Sequence, residues 1–305
     1  MSELECPGLP ASWLNAWLAA VGITMLVPGM RLSWTGGPAP QAVLATSDGK
    51  DPVHALASAW PSPERVAEMP IAKSRHSCTA LGRQPPLSAF VERAHIARSH
   101  RDGWTLSSTL TDLYCTDSAE ARAAVKHSKL DPSGPGTIGT LHDRLLKVMS
   151  HVDSDVAVGI RNTLAGRGSR IEVNGLGFDA MRITALADGS KPRTDPIIET
   201  LAFFGLAILP MRGDGVSADR RGVVERYALR QRGWHLVDAN RPRRLHWPAW
   251  SPALERFGID ALLDAWRPRE RRNWRRLGVH SGWISVEYTP RGSADTTRGI
   301  GSEAL

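Results

Sequence analysis

The sequence predicts an α+β fold of mixed helices and antiparallel strands, as one large domain or two closely packed subdomains. Three observations predict it. Stretches with apolar residues at helical spacing are interspersed with stretches in which every second residue is apolar, and no regular βαβ period links them. No internal repeat runs through the chain. At 305 residues, 42% of them hydrophobic and 23% charged, the chain is long enough to enclose a full core. The polar stretch LDPSGPGTIG around residues 130–139 marks a soft division. Residues 1–130 read as an N-terminal α+β subdomain, 131–288 as a basic C-terminal α+β subdomain, and 289–305 as a disordered tail.

The elements follow in order. In residues 12–22, Trp13, Trp17 and Val21 lie four apart beside a parallel row of Leu14 and Leu18, which is one apolar helix face. Ser12 suits the N-cap and Gly22 a left-handed stop. Residues 30–34, MRLSW, alternate as a half-buried strand, and 41–47 return as its hairpin partner. Asp51-Pro52 and Ser62-Pro63 each place a capping side chain before a proline, so a short helix is expected after each. Helices are expected over 87–99, 119–127 and 140–152, and strands over 104–114, 178–185 and 223–233. Residues 197–209 form a strongly apolar helix. Residues 252–266 read as a helix with Leu254, Phe257, Leu262, Leu263 and Trp266 at packing positions. Residues 279–288 alternate as a final strand.

The charge points to the class of partner. Thirty-eight Lys and Arg against 31 Asp and Glu leave a net charge of +7, which favours an anionic partner, most commonly nucleic acid. A plain arginine excess is the bland alternative. Eleven tryptophans outnumber three tyrosines and five phenylalanines, as core residues or as faces on which bases stack. Cys6, Cys78 and Cys115 are single and widely spaced, which argues against a zinc ribbon and a disulfide framework. No apolar run reaches the roughly 18 residues of a membrane span. The acidic start, with Glu3 and Glu5, lacks a signal-peptide n-region. A cytoplasmic protein with no membrane partner is the expectation.

Two constellations carry the chemistry. The glycine-rich stretch 159–177 holds Arg161, Asn162, Arg167, Arg170 and Asn174, with Lys191 and Arg193 shortly after. Glycines let backbone N–H groups approach a phosphate, and arginines add a planar donor fork. The bland reading is an exposed loop. Residues 241–250 hold Arg241, Arg243, Arg244 and Trp247. Residues 267–276 hold Arg271, Arg272, Arg275 and Arg276 around Trp274. Cations interleaved with indoles suit a nucleic-acid groove. The bland reading is a solvated basic face with Trp274 packed inward. His142, Asp143, His151, Asp153 and Asp155 invite a metal reading, but neighbours in sequence diverge by about 100° on a helix. No HExxH, GxSxG or GxxxxGK[ST] pattern occurs. No catalytic residue, metal or cofactor is therefore expected. A metal-dependent nuclease or nucleic-acid-processing enzyme using residues 142–155, and a scaffold that binds protein only, are the alternatives.

The N-terminal stretch carries a resemblance. CPGLPASWLNAWLAAVG (6–22), followed by RLSW (31–34), resembles the start of CRISPR-associated proteins of type I-G (formerly I-U) systems. Those open with a GL motif, then a helix ending in LAAxG, then a strand. They are large-subunit-like proteins of the Cascade effector complex and relatives encoded beside its helicase–nuclease. LGFDAMRI (176–183) and DPIIETLAFFGLAILPMRGDG (195–215) fit more loosely. The resemblance implies a non-enzymatic subunit in antiviral defence that contacts crRNA, target DNA and other Cascade subunits. It further implies a role in flanking-motif recognition and the helicase–nuclease as an additional partner.

Overall fold

The computed structural model describes residues 3–69, 138–173, 175–209, 232–236, 243–288 and 299–305. The elements are β1 (Glu3–Pro10), α1 (Leu14–Leu26), β2 (Met30–Trp34), β3 (Gln41–Thr46), α2 (Pro52–Ser58), α3 (Pro63–Ala67), α4 (Ile138–Met149), α5 (Val156–Leu164), α6 (Met181–Asp188), α7 (Pro196–Gly205), β4 (Trp234–Leu236), β5 (Arg243–Trp250), α8 (Arg256–Ala265), α9 (Arg271–Arg276), β6 (Val279–Tyr288) and β7 (Gly299–Ala304). A 3-10 turn, Leu206–Ile208, extends α7. The fold is α+β, with two antiparallel sheets ordered β1-β3-β2 and β4-β5-β6-β7.

Two helices form the centre. Every residue of α1 except Met25 is buried, and so is every residue of α7. A helix apolar on all sides belongs inside a core. This is why α1 runs past Gly22 to Leu26 instead of stopping there. Gly22 faces α7: a Cβ on it would stand 1.9 Å from the Leu201 carbonyl oxygen. Gly205 answers from α7, where a Cβ would stand 2.0 Å from the Leu18 carbonyl oxygen. The N-cap of α1 is Trp13, without a side-chain capping bond, rather than Ser12. Asp195 caps α7, its Oδ1 accepting from the Ile197 and Ile198 N–H groups at 2.8 and 3.2 Å. Asp51 and Ser62 cap α2 and α3, each ahead of a proline in the first turn, as the sequence predicts.

The sheets are locked to this centre by indoles. The Nε1–H of Trp17 donates to the Pro248 carbonyl at 2.9 Å, that of Trp247 to Ala11 at 2.8 Å, and that of Trp250 to Leu32 at 3.0 Å. Trp250 meets Trp17 and Trp34 edge-on, with ring centroids 6.4 and 6.0 Å away. Leu32 and Leu254 exchange backbone hydrogen bonds at 2.9 and 3.0 Å, joining β2 to the segment before α8. A buried Arg232 donates to the Ile208 carbonyl and to Asp260 and Asp264 of α8. One hydrophobic cluster runs from Cys6 to Ile300. Burial pushes the Cys6 thiol up to about 12, so it stays protonated.

Four expectations are corrected. Residues 178–185 hold no strand: Asp179 Oδ1 accepts from the Met181 N–H, and α6 follows until Gly189 ends it at φ +76°. Residues 156–164 of the expected glycine–arginine loop are helical, so Arg161 and Asn162 sit on α5. The tail is ordered in part. Residues 299–304 pair with β6 as an edge strand, with Ile300 buried. There Gly299 and Gly301 admit Ile183, whose atoms would meet a Cβ at 2.8 and 2.7 Å. The helix expected over 252–266 begins only at Arg256, and Phe257 is 73% exposed rather than packed. The elements expected over 87–99, 104–114, 119–127 and 223–231 lie outside the described residues, as do Cys78 and Cys115.

Candidate nucleic-acid interface

Helix α9 follows a turn at residues 267–270 and is anchored by one side chain. Trp274 is 4% exposed, packs against Trp266 at 5.6 Å and stands over Gly282, where a Cβ would lie 3.0 Å from its ring. Its Nε1–H donates to the Arg267 carbonyl at 3.2 Å. With the indole turned inward, the remaining positions of α9 turn outward: Arg271, Arg272, Arg275 and Arg276 are all exposed. The Arg271 guanidinium lies 4.0 Å from the Trp274 ring centroid, a close cation–π contact. Among the described residues no carboxylate pairs with Arg272, Arg275 or Arg276, and Glu270 is engaged by the Asn273 amide. Arg271 and Arg275, and Arg272 and Arg276, are like-charge neighbours four apart. Each pair costs about 0.2–0.5 kcal/mol.

The other expected contacts divide. Trp247 is 1% exposed and Trp274 nearly as buried, so neither offers a face to a base, contrary to the sequence expectation. The cause is that sheet β4-β5-β6-β7 is covered by the α1 region and by α9, so both indoles fill core. Arg244 is half-buried, and its carbonyl meets a ring nitrogen of His246 at 2.8 Å. Asn174 and Arg241 lie outside the described residues, as does the side chain of Arg243.

Arg161, Arg167, Lys191 and Arg193 are exposed, and Asn162 is half-buried. Arg170 is committed internally: it pairs with Asp179 at 2.7 Å and donates to the Arg193 carbonyl at 3.0 Å. Arg193 donates back to the Arg170 carbonyl, and Lys191 reaches Glu172 at 3.3 Å. That last pair is exposed on both sides and contributes little.

Beneath these cations lies a buried polar cluster that the sequence did not reveal. Asp195 accepts the Thr163 hydroxyl at 2.9 Å, and burial raises its carboxyl above the ordinary value. Glu199, fully buried on α7, accepts from the Asn15 amide at 3.2 Å and from the Leu176 N–H. Burial, and then the Asp179 carboxylate, push Glu199 up to about 7 from 4.5. The neutral form is therefore favoured in the folded protein. This group's contribution to stability is highest below about pH 4.5 and is lost as pH rises through about 7. Glu199→Gln is expected to lose less melting temperature than the unmodified protein between pH 5 and 8. Parallel slopes in thermal melts would show that Glu199 does not carry the dependence.

Two residues of the metal reading have structural roles. A His142 ring nitrogen lies 2.8 Å from the Val66 carbonyl in the core, and Asp155 caps α5 through the Val158 N–H. Among the described residues no group of three metal-ligating side chains occurs, and no helix is long and apolar enough to cross a membrane. Phe257, which the sequence placed in the core, presents an exposed ring with the Arg256 guanidinium 4.7 Å from its centroid. No family model, curated protein or solved structure matches the chain.

Proposed function

We propose that this chain is a non-enzymatic nucleic-acid-binding subunit of a CRISPR type I effector complex. In this reading it works in the cytoplasm with crRNA and other Cascade subunits to engage target DNA, including its flanking motif. The observation that supports nucleic-acid binding is the outward arginine face of α9. Four guanidiniums are held on a helix of six residues, at a cost in mutual repulsion, around a buried tryptophan anchor. An anionic backbone relieves that repulsion by replacing its own counterions with arginine. The CRISPR assignment rests on the sequence resemblance of residues 6–34 and 176–215.

Two measurements test the two parts. A tagged copy recovered from its native host is expected to bring down crRNA and the other effector subunits. Recovery of the chain alone, free of nucleic acid, would remove the CRISPR reading. Separately, the purified chain is expected to bind DNA with an affinity that falls as salt rises. Each phosphate contact adds a slope of about −0.9 in log affinity against log salt. A flat dependence would remove the nucleic-acid reading.

A further inference from the structure

We propose that Phe257, with Arg256 against it, is a stacking platform for one unpaired base of a strand whose phosphates lie on α9. The proposal rests on the nucleic-acid reading and deepens it by adding a preference for single-stranded over duplex DNA. Phe257 is 73% exposed, while Phe178, Phe203 and Phe204 are buried. It stands in the first turn of α8, and the residue one turn on, Ala261, is exposed and too small to cover the ring. The half-buried Arg256 places its guanidinium over the ring, 4.7 Å from the centroid. An open aromatic face with a cation beside it is the surface on which bases stack, whatever their identity, because every base has a π-face. Bases held in a duplex are already stacked on one another, so only an unpaired base can use it.

Two further observations join this ring to α9. The first is distance along the chain. The Ser251 N–H donates to the Gly278 carbonyl at 2.9 Å, and the Pro252 ring stands where a Cβ on Gly278 would lie. The end of α9 is therefore seated on the segment that leads into α8. Arg276 is two residues before Gly278 and Phe257 five after Pro252, so the two lie at most about 30 Å apart even if both segments were fully extended. One strand of about ten nucleotides covers that span even at the duplex rise of about 3.4 Å. The second is charge. The carboxylates that would repel a phosphate near Phe257 are each paired: Glu255 with Arg31 at 3.3 Å, and Asp260 and Asp264 with the buried Arg232. Arg256 and the arginines of α9 then set the sign of the surface, which suits an anionic strand rather than an apolar protein face.

The test is fluorescence anisotropy of the full chain with a labelled 12-nucleotide single strand of mixed sequence and with the same strand in a duplex. Phe257→Ala is expected to weaken single-strand binding about tenfold, the loss of one base–aromatic stack, and to leave duplex binding unchanged. The salt slope should stay the same for both, because no phosphate contact is removed. Phe257→Trp is expected to retain or improve single-strand binding, since the larger ring offers more face. The ring is exposed, so neither change disturbs the core. Unchanged single-strand binding in Phe257→Ala overturns the platform; it is also the result expected if Phe257 anchors a protein partner. Equal losses on single strand and duplex overturn it too. Either of these results leaves the salt-dependent binding of α9 standing. Absence of binding to both DNAs by the unmodified chain overturns the platform and the nucleic-acid reading together.

Discussion

Gly22→Ala is expected to lower the melting temperature by about 5 °C or more, although alanine is the better helix former. In an exposed helix interior the change would stabilise by about 1 kcal/mol. Here the new methyl would stand 1.9 Å from the Leu201 carbonyl oxygen and 2.9 Å from the Gly205 nitrogen, both backbone atoms of a buried helix. No side-chain rotamer can relieve the contact, so α1 and α7 must separate. Overpacking that side chains can absorb costs about 1–3 kcal/mol. A rigid backbone places this case at the top of that range or above it, and the opposing propensity gain is outweighed. For 305 residues, about 3 kcal/mol corresponds to about 5 °C. Gly22→Val, with two more methyl groups, is expected to give no folded protein. Gly36→Ala is the control: it is exposed, with nothing near its would-be Cβ, and should leave the melting temperature unchanged. Gly22→Ala combined with Gly205→Ala should cost less than the sum of the two. Both methyl groups press on one crossing, and separating the helices for the first makes room for the second. Melts followed by circular dichroism decide. An unchanged transition for Gly22→Ala would mean that the helices cross less closely than described.

This crossing shows what the sequence reveals and what it leaves out. β2 was legible because strict alternation has one reading on a sheet with one buried face. The Asp51-Pro52 and Ser62-Pro63 starts were legible because a cap and a proline are local signals. Gly22 was not. A glycine after an apolar run serves equally as a helix stop or as a point of close approach, and the deciding partner lies 179 residues away at Leu201. Residues 299–304 carry little strand signal of their own, being small or polar apart from Ile300. They become a strand because β6 offers an open edge and Ile183 needs a surface without side chains. The indoles failed differently. Their number suggested base stacking, but whether a tryptophan faces inward depends on what covers its sheet, and Trp247 and Trp274 are both covered. The arginines of 271–276 were legible as an exposed face, because four cations in six residues lack the local carboxylates that burial would demand, as Asp260 and Asp264 supply for the buried Arg232. The Thr163–Asp195 pair was invisible, since the two residues are 32 apart and each has an ordinary local role.

Replacing Arg271, Arg272, Arg275 and Arg276 together by glutamine is expected to weaken DNA binding by on the order of 10³ at 0.15 M salt. The figure follows from counterion release. Four phosphate contacts contribute a slope of about −3.6, and each is worth roughly fivefold at that salt concentration. Glutamine keeps much of the side-chain length and its helix propensity is close to that of arginine, so α9 should persist. Loss of the like-charge pairs offsets part of what is lost in the Arg271–Trp274 contact and in the cations of the last turn. A large loss of binding with a nearly unchanged melting temperature is the expected result; a merely structural arginine face would lose stability and leave the salt slope unchanged. Arg271 needs separate treatment because it covers the Trp274 ring. The triple variant at Arg272, Arg275 and Arg276 leaves that contact in place and should still lose about a hundredfold. Fluorescence anisotropy over a salt series, with the same DNA for every variant, reads both the affinity and the slope. If the quadruple variant keeps the original slope, α9 does not touch phosphate. The exposed Arg161, Arg167 and Arg193 around α5 would then be the next cations to neutralise.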